Sequence, residues 1–221
     1  MNYAMNLEQA RFNMIEQQIR PWDVLDAHVL YLLSVVKRED FVPLAHKALA
    51  FVDMEIPLPG GEVMLAPRVE ARLLQDLAVQ KHEKVLEVGA GSGYMAALLA
   101  HRAQRVVTLE INAELAALAR IHLQAAGIHN AEVRHQDGSS GLPTDGPFDV
   151  ILLSGSVAEV PQSVLAQLKV GGRLAAIVGN EPMMRATFIN RLTDTQFRTS
   201  QPWDTVAARL HHFPEPSRFT F

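Results

Sequence analysis

The chain has 221 residues, 48% of them hydrophobic and 20% charged, which is enough for one substantial core and too apolar for a disordered polymer. Its formal net charge of -4 argues against nucleic-acid or anionic-membrane binding driven by bulk positive charge. The absence of cysteine excludes disulfides, thiolate metal sites, iron–sulfur clusters and a cysteine nucleophile.

From the N-terminus, Met14, Ile15 and Ile19 recur at helical spacing, and Pro21 stops that helix. Asp23 is placed to cap a second helix carrying Val24, Leu25, Val29, Leu30 and Leu33. Residues 1–20 are polar and mixed, without the basic-then-apolar pattern of a secretory signal. The longest apolar run, 27–36, is broken by His28 and is about half the ~20 residues a spanning helix needs. A cytoplasmic protein is therefore expected. Phe41-Val42-Pro43 and Pro57-Leu58-Pro59-Gly60-Gly61 mark loops. Beyond them, strands are predicted at 84–88, 105–110, 131–134, 148–153 and 172–178, with helices at 96–102, 113–126 and 160–168 between them. This alternation predicts an α/β fold with a doubly wound, mostly parallel sheet. Residues 187–189 and 198–206, around a turn near Thr193-Asp194, predict an antiparallel hairpin on one edge. Met183-Met184 reads as a packed helix face. The chain reads as a single domain: 1–66 an N-terminal helical cap and loop, 67–181 the Rossmann-like core, 182–221 a C-terminal strand extension.

Val88-Gly89-Ala90-Gly91-Ser92-Gly93-Tyr94 follows a predicted strand and opens a helix. Glycines there let the backbone turn sharply and approach a ligand that a Cβ would block. A dinucleotide loop has the spacing G-x-G-x-x-G, whereas this one is G-x-G-x-G. Glu87 lies just before the loop, where a pyrophosphate would be repelled and a cationic amino-acid group welcomed. S-adenosylmethionine carries such an ammonium, and it fits better than NAD, the rival cofactor. Glu110 ends the second strand, where a carboxylate can accept both hydrogen bonds of a ribose diol. Asp137-Gly138 follows the third strand, where a short acid can reach an adenine amino group, and Leu153-Ser154-Gly155 closes the same rim. Each residue alone is an ordinary turn former or strand-end acid; in this order at strand C-termini they form one ligand crevice.

The chain resembles the protein-L-isoaspartate O-methyltransferase family over most of its length. The resemblance lies in Gln17-Gln18-Ile19, Val24-Leu25, Arg38-Glu39-Asp40-Phe41-Val42-Pro43, Phe51-Val52-Asp53 and Pro57 to Gly61. It continues in register through Lys84 to Tyr94, Asp137-Gly138, Pro147-Phe148-Asp149, Glu159-Val160-Pro161 and Leu168 to Gly172. It implies a class I S-adenosylmethionine methyltransferase fold, with Gly89, Gly91, Glu110, Asp137 and Gly138 about the cofactor, to which the reading of the loop itself adds Glu87 and Gly93. It also implies a substrate loop containing Gly60, Gly61, Val63, Met64, Leu65 and Pro67, and a damaged protein or peptide as substrate. The family carries Thr-Ile-Ser-x-Pro in that loop, its serine being regarded as the active-site residue. Here the run is Val63-Met64-Leu65-Ala66-Pro67, so both hydroxyls are gone and no catalytic residue is assigned.

A carboxylate acceptor has an ordinary pKa near ~4 and needs no general base, so alignment and desolvation are the enzyme's contribution. Backbone amides of 60–64 offer substitute donors for the lost hydroxyls. A cofactor-binding homologue without turnover, or a methyltransferase for another acceptor, is the alternative. Cytosine C5 methylation lacks its cysteine, and Leu153-Ser154-Gly155-Ser156 is unlike the Asn/Asp-Pro-Pro-aromatic motif of amino-directed DNA methylation. No G-x-S-x-G elbow supports an esterase. The nine histidines show no metal-ligand spacing, and His211-His212 reads as a solvated tail. His135 flanks the cofactor crevice at most. No motif specifies an oligomeric state.

Overall fold

The computed structural model describes residues 3–215. Helix α1 (Tyr3–Met14) runs on through a wide turn at Ile15–Ile19 and a tight one at Arg20–Trp22. Asp23 ends this run in the left-handed region, at φ 61°. It does not cap the second helix. That helix, α2 (Ala27–Val35), starts at Asp26, whose carboxylate accepts from the His28 and Val29 amides at 2.8 and 3.1 Å. Val24 and Leu25 consequently precede the helix rather than belong to it. Strands β1 (Ile56–Pro57) and β2 (Val63–Met64) pair antiparallel and carry the loop between them. Helix α3 (Pro67–Leu77) opens on Pro67, where the missing amide hydrogen has no helical partner to lose.

The core follows as β3 (Lys84–Val88), α4 (Tyr94–Arg102), β4 (Arg105–Glu110), α5 (Ala113–Ala125), β5 (Ala131–His135), β6 (Phe148–Val157), α6 (Gln162–Leu165) and β7 (Leu168–Asn180). Then come β8 (Met183–Arg191) and β9 (Phe197–Asp204). One seven-stranded sheet runs β5-β4-β3-β6-β7-β8-β9. Strands β3 to β7 are parallel, and β8 and β9 add an antiparallel edge. The order reverses between β3 and β6, so the crevice of such a fold opens at the C-terminal ends of these strands.

Alternate residues along the strands belong to two cores. Val85, Val106, Val150 and Leu152 pack with α2 to α5 on one face. Leu86, Val107, Ile151 and Leu153 pack with Val164 and Leu165 of α6 on the other. Burial on both faces explains why these strands read as continuous apolar runs. Segment 160–168 is less regular than its pattern predicts: one helical turn forms, and β7 begins at Leu168. Met183 and Met184 sit on β8 rather than a helix, and only Met184 is buried. The exposed edge strand β9 carries Pro202 and charges that discourage further pairing. Its Trp203 is buried and donates to Asp76 of α3 at 2.8 Å. After β9 the chain turns back along the end of β6, where Ser156 donates to the Ala208 carbonyl and accepts from the Leu210 amide at 2.8 and 2.9 Å. Among the described residues, no helix is long and apolar enough to cross a membrane.

Candidate active site

Strand register places the rim. Val88 pairs with Leu109 on one side and Leu153 on the other, and Glu110 pairs with His135. The three connections that leave β3, β4 and β6 therefore start at one level. After β3 the backbone turns so tightly that the amides of Gly89 and Ala90 both donate to the Leu109 carbonyl, at 2.9 and 3.1 Å. Gly89 has φ 92°, and a Cβ there would meet Leu210 at 3.0 Å and the Ser154 carbonyl at 3.3 Å, so this position requires glycine. Glu110 is buried, and its carboxylate accepts from the Gly91 amide at 2.8 Å and the Asn112 amide at 3.0 Å. Asn112 in turn caps α5, so one turn fixes the acid, the glycine loop and a helix start.

These residues line a crevice open at its mouth. Of the residues singled out by sequence, Gly89, Gly91, Glu110, Asp137 and Gly138 meet there, joined by Val63 and Leu65. Leu65 also lines an adjoining small cavity together with Met64, Glu70 and Tyr94. Gly60 and Gly61 lie at the loop tip with φ 77° and 82°, and Pro67 is turned into α3. Gly93 is at the helix junction, within 3.2 Å of Ala119 for any added Cβ, and its role there is packing of α4 on α5.

Glu87 is fully buried in β3 and is not part of the crevice wall. Burial pushes it up to about 8, against a 2.7 Å hydrogen bond donated by Ser154. Its charge is therefore suppressed near neutral pH. Behind the loop, Glu70 is paired with the fully buried Arg38, and burial nevertheless raises it to about 7. Arg38 also donates to the Leu65 carbonyl at 2.7 Å and the Ala50 carbonyl at 3.1 Å, fixing the loop backbone from below.

Asp137 accepts from the Ser139 amide at 2.9 Å and is joined to His212 at 2.7 Å. Partial burial opposes its charge, but these partners outweigh it and hold the acid below its usual range. His211 and His212 are thus no free tail. The returning C-terminal segment brings Arg209, Leu210, His211 and Phe213 into the crevice wall. His211 meets Glu62 of the loop at 2.7 Å. The sequence held no local signal for this, because the partners are 149 and 75 positions apart. His135 is exposed and contacts the Ile111 carbonyl at 3.1 Å, beside the crevice. Among the described residues, no group of three or more His, Asp or Glu is placed to hold a metal ion.

A family model described as Protein-L-isoaspartate(D-aspartate) O-methyltransferase matches residues 9–206. The Koribacter versatilis protein-L-isoaspartate O-methyltransferase is 42% identical over 185 residues, covering 84% of this chain and 82% of the relative. A Rhodopseudomonas palustris enzyme of the same name is 37% identical over 210 residues, covering 92% and 96%. In structure, the chain is similar to a Plasmodium falciparum protein assigned as a protein-L-isoaspartate O-methyltransferase and crystallised with S-adenosyl-L-homocysteine. That match has a TM-score of 0.74 and 19% identity, and covers 90% of this chain and 96% of the other. With the family model spanning most of the chain and relatives of this identity and coverage, this chain belongs to the protein-L-isoaspartate(D-aspartate) O-methyltransferase family.

Proposed function

We propose that the protein is an S-adenosylmethionine-dependent carboxyl O-methyltransferase that acts on isoaspartyl or D-aspartyl residues of damaged protein in the cytoplasm. Family membership over residues 9–206 carries this reading. The crevice supports it independently. Glu110 presents a carboxylate fixed by two amides at a strand end, suited to a ribose diol. Val88, Leu109, Ile111 and Leu115 give apolar walls for a purine, beside Asp137. Both Asp137 oxygens already have a partner, so an adenine amino group would share the acid with Ser139 and His212.

S-adenosylmethionine supplies an electrophilic methyl group. Held by Glu110 and the apolar walls about Leu109 and Ile111, it would present that methyl group to an already ionised acceptor carboxylate, with the sulfur as leaving group. No proton moves, so no general base is needed. The chain must hold the acceptor in line and exclude water, and such alignment is worth ~7–11 kcal/mol in favourable cases. Arg38 holds the Leu65 carbonyl, and Val63 and Leu65 give the crevice an apolar wall suited to excluding water from a bound acceptor.

Incubation with methyl-labelled cofactor and a synthetic isoaspartyl peptide is expected to give a base-labile ester. Cofactor binding without any ester would remove this substrate. One observation favours a second reading: Leu65 stands in the crevice wall where the family has its serine. On that reading the pocket binds cofactor without turnover, or serves another acceptor. Labelling of a cell extract by a protein inert toward the peptide would identify the other acceptor, and no labelling of either would identify the inactive binder.

A further inference from the structure

Val63 and Leu65 offer no hydrogen bond to an acceptor, yet the crevice mouth beside them is not apolar. Glu62 precedes them on the loop, and His211 faces it from the returning C-terminal segment, both within the same wall. His211 Nε2 is 2.7 Å from Glu62 Oε1, and its side chain is 54% exposed, so a peptide can reach it. Its Nδ1 has no partner among the described residues. Neighbouring polar groups are committed elsewhere. Ser154 donates to Glu87 at 2.7 Å. Arg209 donates to the Gly179 carbonyl and Asn180 and is paired with Glu215 at 3.0 Å; its Nη1 has no partner among the described residues but is buried away from the surface a peptide would meet.

We propose that His211, oriented by Glu62, is the residue of this chain that binds the acceptor carboxylate, replacing the hydroxyl that the loop lacks. It has this role only if the acceptor is an isoaspartyl carboxylate, the reading given above. An arriving carboxylate meets the Glu62 carboxylate unless the imidazole between them carries two protons. Nε2–H then donates to Glu62, and Nδ1–H donates to the acceptor oxygen that does not attack. A neutral imidazole bonded to Glu62 would turn a lone pair toward the substrate's lone pairs. The groups around His211 are Glu62 on the loop, Glu110 and Asp137 on the rim, and His212, Arg209 and Glu215 on its own segment. His212 is itself held by Asp137, and Arg209 is paired with Glu215.

The bond to His211 is strongest before transfer, because methylation removes the charge on the carboxylate. It therefore acts on acceptor binding, and its loss raises KM without lowering kcat. The ester product, being neutral, is released more readily.

The test uses the full chain loaded with S-adenosylhomocysteine, and a histidine-free isoaspartyl peptide with blocked termini. Calorimetry is expected to show wild-type affinity falling about tenfold or more as pH rises through the histidine range of ~6 to ~8. His211→Ala is expected to bind the peptide about 10- to 100-fold more weakly at low pH, with the pH dependence gone. His211→Gln keeps a neutral donor and is expected to bind with intermediate, pH-independent affinity. Equal affinity and an unchanged pH profile in His211→Ala would overturn the role of His211 alone. Wild-type protein that binds S-adenosylhomocysteine but no peptide at any pH would overturn the carboxyl-acceptor reading, and the role of His211 with it.

Discussion

Glu110 shows how much one side chain sets at this rim. Its two oxygens fix the glycine loop at Gly91 and the turn into α5 at Asn112. Leu65 is the opposite case, a buried apolar residue in the crevice wall. Leu65→Ser is expected to raise isoaspartyl methylation by about tenfold, the worth of one hydrogen bond to a charged group. It is also expected to lower stability by ~2–5 kcal/mol, as other truncations of buried leucine do. No gain in rate with the cofactor still bound would mean that the acceptor lies elsewhere. Glu87 makes a pH prediction. Burial lifts it from 4.5 to about 8, so the native state holds this proton more tightly than the unfolded chain. Its contribution is complete below about pH 4.5 and is lost as pH rises through about 8. Urea unfolding should therefore show a loss on the order of 1–3 kcal/mol between about pH 5 and about pH 8, reduced in Glu87→Gln. An equal loss in the variant would show that Glu70, raised to about 7, dominates that window.

At the scale of elements, local chemistry chose the helix starts. Asp23 and Asp26 are both good caps by type, and only the backbone decides between them. Asp23 is left-handed at φ 61°, so its carboxylate cannot reach the next amides, whereas Asp26 is extended and does. Asp26→Ala is expected to cost ~0.5–2 kcal/mol and Asp23→Asn, which suits the left-handed turn, no more than ~0.5, as read from urea midpoints. Comparable losses would deny the cap its assigned position. Strands β3, β4 and β6 were legible because apolar runs bounded by glycine and acid have few other solutions. Met183-Met184 was not, because two adjacent apolar residues fit a helix face or a strand equally well, and pairing with Gly179 and Asn180 settles it.

The whole molecule joins two cores through one sheet, so a ligand bound at the sheet's rim is linked to global unfolding. S-adenosylmethionine at ~100 times its dissociation constant is expected to add ~2.7 kcal/mol, raising Tm by ~5–10 °C in a thermal-shift measurement. NAD at the same concentration should leave Tm unchanged, and an equal shift would reopen the dinucleotide alternative. By itself the sequence determined the alternation of strands and helices, the parallel sheet, and the acids and glycines at strand ends. These are properties of neighbours in the chain, where periodicity and turn chemistry act within a few residues. Tertiary structure decided what is built across distance. It sank Glu87 beneath the crevice and raised its proton affinity, and it laid Arg38 under the Leu65 carbonyl. It also folded His211 and His212 back onto Glu62 and Asp137. Burial and long-range pairing exist only once the chain has closed on itself, and no local pattern encodes them.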